Sequence, residues 1–456
     1  MNYFYFFFFL SLSALLWIKP LIFFICKKVN EAENLNILGA LTFTLGISLI
    51  VFSINTDWQE RLWILLTLIL GILLCIRGLF IIFFLKQIKN ILPVYLNHYY
   101  KFTTSISLMM MILAFFIVST DYIGPQKNIN ECKSDSVISV ICGFSNPEDI
   151  VVTPDNKFLL MSEFGGISPY GNTSAGDFAL LRLADNKKIK PIITFDQNIW
   201  GDATCPQNNV FGPHGIDLVQ REDGRYQFNV INHYPNETIE IFELIKTDDS
   251  RETWSLVWKG CINVPDKYYF NDVALKRNGT FYASHMYPRD IDMVKWLRTS
   301  LFKNDSGLVV KWDGNSFKEI PNSEGSGPNG ITLDERSNIL FISYNQGDKI
   351  VRFDLSINKI VNSFKVESPD NIFLHKNSAW ITSLDFQPND AGDCINKPAC
   401  SLPFTIYEID NETFEVFNED SFKKTVFGLP TIAVPIEDKI FMGSFHSDRL
   451  GYYIRK

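Results

Sequence analysis

Glu148, His214, Asn271, Asn329 and Asp370 each hold the second place of one short phrase, Pro-x-x-Ile or a close variant, that returns six times in the latter part of the chain. The copies are Pro147-Glu148-Asp149-Ile150, Pro213-His214-Gly215-Ile216, Phe270-Asn271-Asp272-Val273, Pro328-Asn329-Gly330-Ile331, Pro369-Asp370-Asn371-Ile372 and Pro430-Thr431-Ile432-Ala433. The third place adds Asp149, Asp272 and Asn371. Carboxylates and side-chain amides are the donors that calcium takes, about six to eight oxygens in an irregular cage. Glu148, Asn271, Asn329, Asp370 and Asn371 supply them. Two carboxylates in that set balance a dication, and the neutral amides add ligands without surplus charge. Zinc fits poorly, because only one histidine belongs to the ring and no thiolate does. Asp and Asn in turns also bond their own backbone, but turn chemistry alone does not place oxygens at equivalent points of successive repeats.

His214 occupies the place that a ligand holds in other copies. A neutral imidazole beside a calcium ion is a general base, with a reference pKa of about 6.5 that burial or a partner tunes. His233, in Asn232-His233-Tyr234 at the far end of the same hairpin, is placed to meet it as a relay. His285, in Ser284-His285-Met286-Tyr287, holds the analogous place one repeat later. The alternative for each is a satisfied core histidine. The chain has no GxSxG elbow, HExxH pair or P-loop, so serine-hydrolase, zincin and NTPase readings lose their usual signatures.

The copies stand 41 to 66 residues apart, and an apolar strand such as Phe158-Leu159-Leu160-Met161 or Leu340-Phe341-Ile342 follows each after a polar turn. A unit of strands and turns recurring six times predicts a six-bladed β-propeller over 147–456. Rotation about its axis would gather the variable places into a ring. Alternation along Gln227–Ile231, Thr238–Phe242 and Ile350–Phe353 supports the strands. The exception is Asp290 to Phe302, where Ile291, Val294, Leu297 and Leu301 recur at helical spacing. A short amphipathic helix there would either lid a site or touch a bilayer, or pack as an ordinary surface helix.

The first 120 residues are a different material. Stretches 3–26, 37–54, 62–85 and 102–120 are apolar and of membrane-spanning length, since roughly 20 residues cross the hydrocarbon core. The expected architecture is therefore an all-β propeller preceded by an all-α membrane region of about four transmembrane helices, joined by a polar linker at 121–146. A cleaved signal peptide explains the first stretch less well, because no basic region precedes it and three more follow. Lys27 and Lys28, and Lys86, Lys89 and Lys101, mark two loops as cytoplasmic, against Arg61 with Asp57 and Glu60 in the third. The propeller then lies on the extracytoplasmic side. Lys19 and Arg77 fall inside spans, within snorkelling reach of an end.

Cys132, Cys142, Cys205, Cys261, Cys394 and Cys400 lie in the soluble part, an even number that suggests disulfides in an exported domain. Many pairings are open, with Cys394 and Cys400 the best local pair. The net charge of −8 argues against a nucleic-acid partner. Sequons at Asn172, Asn236, Asn278, Asn304 and Asn411 matter only in a eukaryotic secretory route.

From about Asn146 to Tyr452 the chain resembles the serum paraoxonase and arylesterase family, calcium-dependent six-bladed propeller lactonases more distantly related to gluconolactonases. The resemblance rests on phrases in order: Glu148-Asp149-Ile150, Pro213-His214-Gly215-Ile216, Val230-Ile231-Asn232-His233, Asn271-Asp272-Val273-Ala274, Phe281-Tyr282-Ala283-Ser284-His285, Asn329-Gly330-Ile331, Asp370-Asn371-Ile372 and Lys439 to His446. It implies two calcium ions. A catalytic one would be held by Glu148, Asn271, Asn329, Asp370 and Asn371; a structural one by Asp149, Asp272 and the main-chain carbonyl of Ile216. His214 and His233 match the family's proposed dyad. The implied function is membrane-tethered hydrolysis of lactones or aryl esters; the alternative is a non-catalytic, calcium-stabilised propeller that binds a partner or serves as a sensor on a membrane bundle. Three features depart from the family: Gly327-Pro328 replaces the aromatic before Asn-Gly, the chain's end lacks a cysteine for the family's N-to-C-terminal staple, and four spans stand where familiar members have one anchor.

Overall fold

The computed structural model describes residues 2–55, 62–119, 129, 131–166, 173–247, 253–385 and 397–455. Asp57, Glu60, Arg61, Asn172 and Cys394, considered above, lie outside them. The chain divides into two compact units, Met1–Pro125 and Gln126–Lys456.

The first unit is built of helices Asn2–Leu16, Lys19–Glu31, Asn36–Ile54, Leu62–Phe83, Leu85–Asn97 and Tyr99–Ser119. Among the described residues, Asn36–Ile54 and Ile64–Phe83 are long and apolar enough to cross a bilayer. Phe4–Leu16 with Lys19–Glu31 makes a third candidate if this pair, bent by 81°, is one crossing. The first expected span is thus broken rather than straight. The second helix of the pair carries Pro20 in its first turn, where proline's missing amide hydrogen is tolerated but continuation of a preceding helix is not. Lys19, at the break, lies 5.0 to 5.8 Å from the rings of Tyr100, Phe23 and Tyr99, so this charge meets aromatic faces. The stretch expected as a fourth span forms the helix Tyr99–Ser119, which is not among these candidates, so the described residues give two or three crossings rather than four. Asn36–Ile54 and Leu62–Phe83 pack through glycines: a Cβ on Gly46 would lie 2.7 Å from the Cys75 amide nitrogen, and one on Gly78 equally close to the Gly39 carbonyl.

The second unit is a six-bladed propeller of six sheets. Each repeated phrase opens the first strand of one sheet, at Pro147–Val152, Pro213–Gln220, Phe270–Leu275, Pro328–Asp334, Pro369–His375 and Pro430–Ile436, here blades I to VI. Blade II has a fifth strand, Ile192–Phe195, laid parallel on Trp254–Asn263. Cys205 is bonded to Cys261 on that same outer strand. Apolar faces of neighbouring sheets interlock, as where Phe158, Phe178, Phe228 and Phe242 join blades I and II.

Ser139–Cys142 pairs antiparallel with Arg449–Ile454, so the beginning and end of the propeller share blade VI. The segment 121–146, read above as linker, therefore contributes a strand. Its four residues alternate too briefly to announce themselves. Cys142, at the end of this strand, is bonded to Cys132. The closure is held by Arg449, which is fully buried. Its guanidinium donates to the carbonyls of Ile129 at 3.0 Å, Glu131 at 3.2 Å and Val426 at 3.4 Å, and to Asp448 at 2.6 Å. Arg449→Met would strand three acceptors and is expected to cost about 3 to 5 kcal/mol. Thermal and urea unfolding of the full chain in detergent check this, and an unchanged midpoint would contradict it.

Candidate active site

The innermost strand of every blade breaks register with its neighbour at one place. The shift falls between Pro147 and Ile150, Pro213 and Ile216, Phe270 and Val273, Pro328 and Ile331, Pro369 and Ile372, and Pro430 and Ala433. In each case two residues, the second and third of the phrase, oppose one on the next strand. Such a bulge frees backbone groups and re-aims side chains. The residue opposite is Ser162, Ser284, Ser343 or Thr382 in four blades. Ser162 Oγ accepts the freed amide of Asp149 at 3.2 Å, and Ser284 Oγ that of Asp272 at 3.0 Å. These hydroxyls recur in the sequence at the same point of the second strand, a signal that reading the first strands alone overlooked.

Third-place side chains stitch blades together. Asp149 Oδ2 accepts the amide of Ile216 at 2.8 Å, and Asp272 Oδ2 that of Ile331 at 2.7 Å. Space for them comes from glycine in the next third place or the preceding one. A Cβ on Gly215 would lie 2.5 Å from Asp272 Oδ1, and one on Gly330 would lie 2.4 Å from Asn371 Cα.

The structure sets each predicted side-chain donor at the bulge of its blade's innermost strand. Glu148, Asp149, Asn271, Asp272, Asn329, Asp370 and Asn371 are all buried. Asn371 Nδ2 of blade V donates to Glu148 Oε1 of blade I at 3.4 Å. Thr431, the odd copy, donates its hydroxyl to the Glu148 carbonyl instead of offering a ligand. Three buried oxygens, Glu148 Oε2, Asn329 Oδ1 and Asn371 Oδ1, have no hydrogen-bond partner among the described residues. Orphaned acceptors at one centre are costly, and a hard cation would satisfy all three. No cluster of three or more His, Cys, Asp or Glu suited to a metal occurs among the described residues; the set here fits calcium through its amides as much as its carboxylates.

The protonation pattern agrees with that fit. Burial is the main cause that pushes Glu148 well above the carboxylate range, with Asp149, Asp370 and Asp272 adding like-charge repulsion. Burial also raises Asp149 to about 7 and, with Asp149 beside it, Asp370 to about 8. Asp272 is pushed well up by burial and then by Asp149. A bound dication would reverse this repulsion.

His214 and His233 meet: Nδ1 of the first lies 3.0 Å from Nε2 of the second. His214 Nε2 stands 3.8 Å from Glu148 Oε1. The Phe164 ring stacks on His214 at 4.5 Å and the Tyr269 ring lies 4.9 Å from His233. Burial, and then His233, hold His214 well below its usual pKa, which keeps the imidazole a neutral acceptor. His285 is engaged elsewhere, its Nδ1 accepting the Tyr269 amide at 3.0 Å. Glu237, unremarked in the sequence reading, places Oε2 2.8 Å from His233 Nδ1.

The helix anticipated at 290–302 is Met293–Phe302, capped by Asp292 accepting the Lys295 amide at 2.8 Å. It buries Trp296 beside Ile291, Phe164, Tyr269, Met286 and Tyr287, so it anchors to the aromatic wall behind the histidines. Val294 and Leu301 of the expected apolar stripe are 76% and 75% exposed. Gly327, before Pro328 and the Asn329-Gly330 phrase, has φ +63°, a backbone region that residues with side chains rarely adopt. Gln346, buried with both amide atoms unpartnered, packs where a side chain at Gly327 would begin. Cys400 is disulfide-bonded.

A search of curated proteins finds no match for the chain. Among solved structures it is similar to a luciferin-regenerating enzyme, at 12% identity and TM-score 0.42 over 70% of this chain and 95% of that one. It is also similar to a periplasmic gluconolactonase of Pseudomonas aeruginosa, at 10% identity and TM-score 0.40 over 68% and 82%. Neither likeness bears on the chemistry. The family match does: the arylesterase profile fits residues 162–446, more than half of the chain, and takes in His214, His233, Asn271, Asn329, Asp370 and Asn371. The chain belongs to the arylesterase family.

Proposed function

We propose that the protein is a membrane-tethered, extracytoplasmic hydrolase that depends on calcium and cleaves lactones or aryl esters. The observation that carries the reading is the set of orphaned, buried oxygens at Glu148, Asn329 and Asn371 in a molecule that also pairs His214 with His233. Glu148, Asn271, Asn329, Asp370 and Asn371 would hold the catalytic ion, and Asp149, Asp272 and the Ile216 carbonyl a structural one. Calcium bound there supplies a Lewis acid that polarises the carbonyl and offsets negative charge on its oxygen. His214 Nε2 takes a proton from water while the water oxygen bonds to the carbonyl carbon. The ester C–O bond then breaks and the leaving oxygen recovers that proton from His214. His233 holds the His214 ring through Nδ1. Disulfides Cys132–Cys142 and Cys205–Cys261 support an oxidising compartment for the propeller, and the apolar helices support anchoring in a membrane.

The full chain in detergent should hydrolyse an aryl acetate and an acyl lactone, and lose both activities to a calcium chelator. Asp370→Ala should abolish activity, while His214→Gln should lower kcat by about 100- to 10,000-fold. Equal activity in Asp370→Ala would overturn the reading, and chelation that unfolds a protein inactive from the outset would favour a calcium-stabilised binding module.

The buried carboxylates also predict a pH dependence. Their folded pKa values, about 7 for Asp149 and about 8 for Asp370, exceed the unfolded values of about 4. The folded state therefore binds more protons in that window, and stability falls as pH rises through it. Chelator-treated protein should unfold at a lower temperature at pH 8 than at pH 5, and calcium should remove the difference. A flat or reversed trend without metal would contradict it.

A further inference from the structure

The histidine pair has a third member. Glu237 sits in the short connection between strands Tyr226–Asn232 and Thr238–Lys246, and its side chain is 15% exposed. The Glu237 carbonyl accepts the Val264 amide at 3.2 Å, which ties the connection to the end of the outer strand Trp254–Asn263. Carboxylate oxygens only accept hydrogen bonds. The proton in the 2.8 Å contact therefore belongs to His233 Nδ1, and in the uncharged form of the ring the lone pair is on Nε2. That lone pair faces His214 Nδ1 at 3.0 Å, so His214 must donate there. The lone pair of His214 is then left on Nε2, the nitrogen 3.8 Å from Glu148.

We propose that Glu237 is a positioning residue that sets the tautomers of both histidines and so turns the basic nitrogen of His214 toward the ring of oxygen donors. Its catalytic meaning rests on the hydrolase reading above; its effect on the tautomers does not. Without the carboxylate the opposite arrangement becomes available. His233 Nε2–H then donates to His214 Nδ1, and the His214 proton moves to Nε2, where it blocks uptake of a proton from water. With the carboxylate in place, a proton accepted at His214 Nε2 leaves both Nδ1–H bonds intact. The charge is spread along the line to Glu237, and return of the proton to the leaving oxygen restores the starting state.

The test is nitrogen NMR of the full chain carrying 15N-labelled histidine, in detergent. The chain has six histidines, so the rings of His214 and His233 can be assigned by difference with His214→Gln and His233→Asn. Both rings are expected as Nδ1–H tautomers. Glu237→Gln keeps an acceptor oxygen at the same reach and is expected to keep that pattern, with kcat reduced by no more than about tenfold. Glu237→Leu is expected to shift the rings toward Nε2–H and to lower kcat about 100-fold or more at unchanged KM. Nε2–H rings in the unsubstituted protein, or unchanged tautomers and kcat in Glu237→Leu, would overturn the proposal. If the unsubstituted protein cleaves neither ester nor lactone, the hydrolase reading fails, and the tautomers still decide the role of Glu237.

Discussion

Where six strands converge on one axis, regular strands would send alternate side chains into the flanking blades and leave the axis to the backbone. The two-against-one bulge at the second and third places of each phrase changes this. In blades I and III it releases an amide that a serine on the next strand receives, and it sets Glu148, His214, Asn271, Asn329 and Asp370 at the same point of their innermost strands. The third place then locks adjoining blades, through Asp149 to Ile216 and Asp272 to Ile331, with Gly215 and Gly330 leaving room. Closure by Ser139–Cys142 and Arg449 keeps the blades at the spacing these contacts need.

The same crowding makes the centre electrostatically strained. Burial raises the pKa of Glu148, Asp149, Asp272 and Asp370, like-charge repulsion adds to it at Glu148, Asp272 and Asp370, and three oxygens lack partners among the described residues. A structure that gathers such groups gains from a dication and loses without one. His214, next to these groups and buried against Phe164, stays a neutral acceptor for the same reason, because burial disfavours its charged form. One desolvated site thus moves groups of opposite charge type in opposite directions, the carboxylates up and His214 down.

Much of this was legible in the sequence. The six phrases open the six inner strands at the residues where they were read, because proline or an aromatic before the bulge and an apolar residue after it leave a periodic trace. The sequence set His214 and His233 apart from His285 by their match to the family's phrases, and the hydrogen bonds keep that division, since His214 meets His233 while His285 accepts the Tyr269 amide. Ser139–Cys142 was hidden by its length, and Pro20's break by the apolar run around it. Glu237 left no trace, because a carboxylate four residues after a histidine is ordinary until a turn folds it back. The stripe Ile291, Val294, Leu297 and Leu301 left open whether the helix lids a site, touches a bilayer or packs on the surface; Ile291 is buried with Trp296, the large ring that fills the aromatic pocket, while the other three are exposed.

The central claim is that the bulges aim oxygen donors from several blades at one cation. An X-ray structure of the full chain crystallised with calcium tests it most directly. The account predicts an ion with oxygen contacts of about 2.3 to 2.6 Å from Glu148, Asn271, Asn329, Asp370 and Asn371. An empty centre at saturating calcium, or amide oxygens turned back to their own backbone, would contradict it.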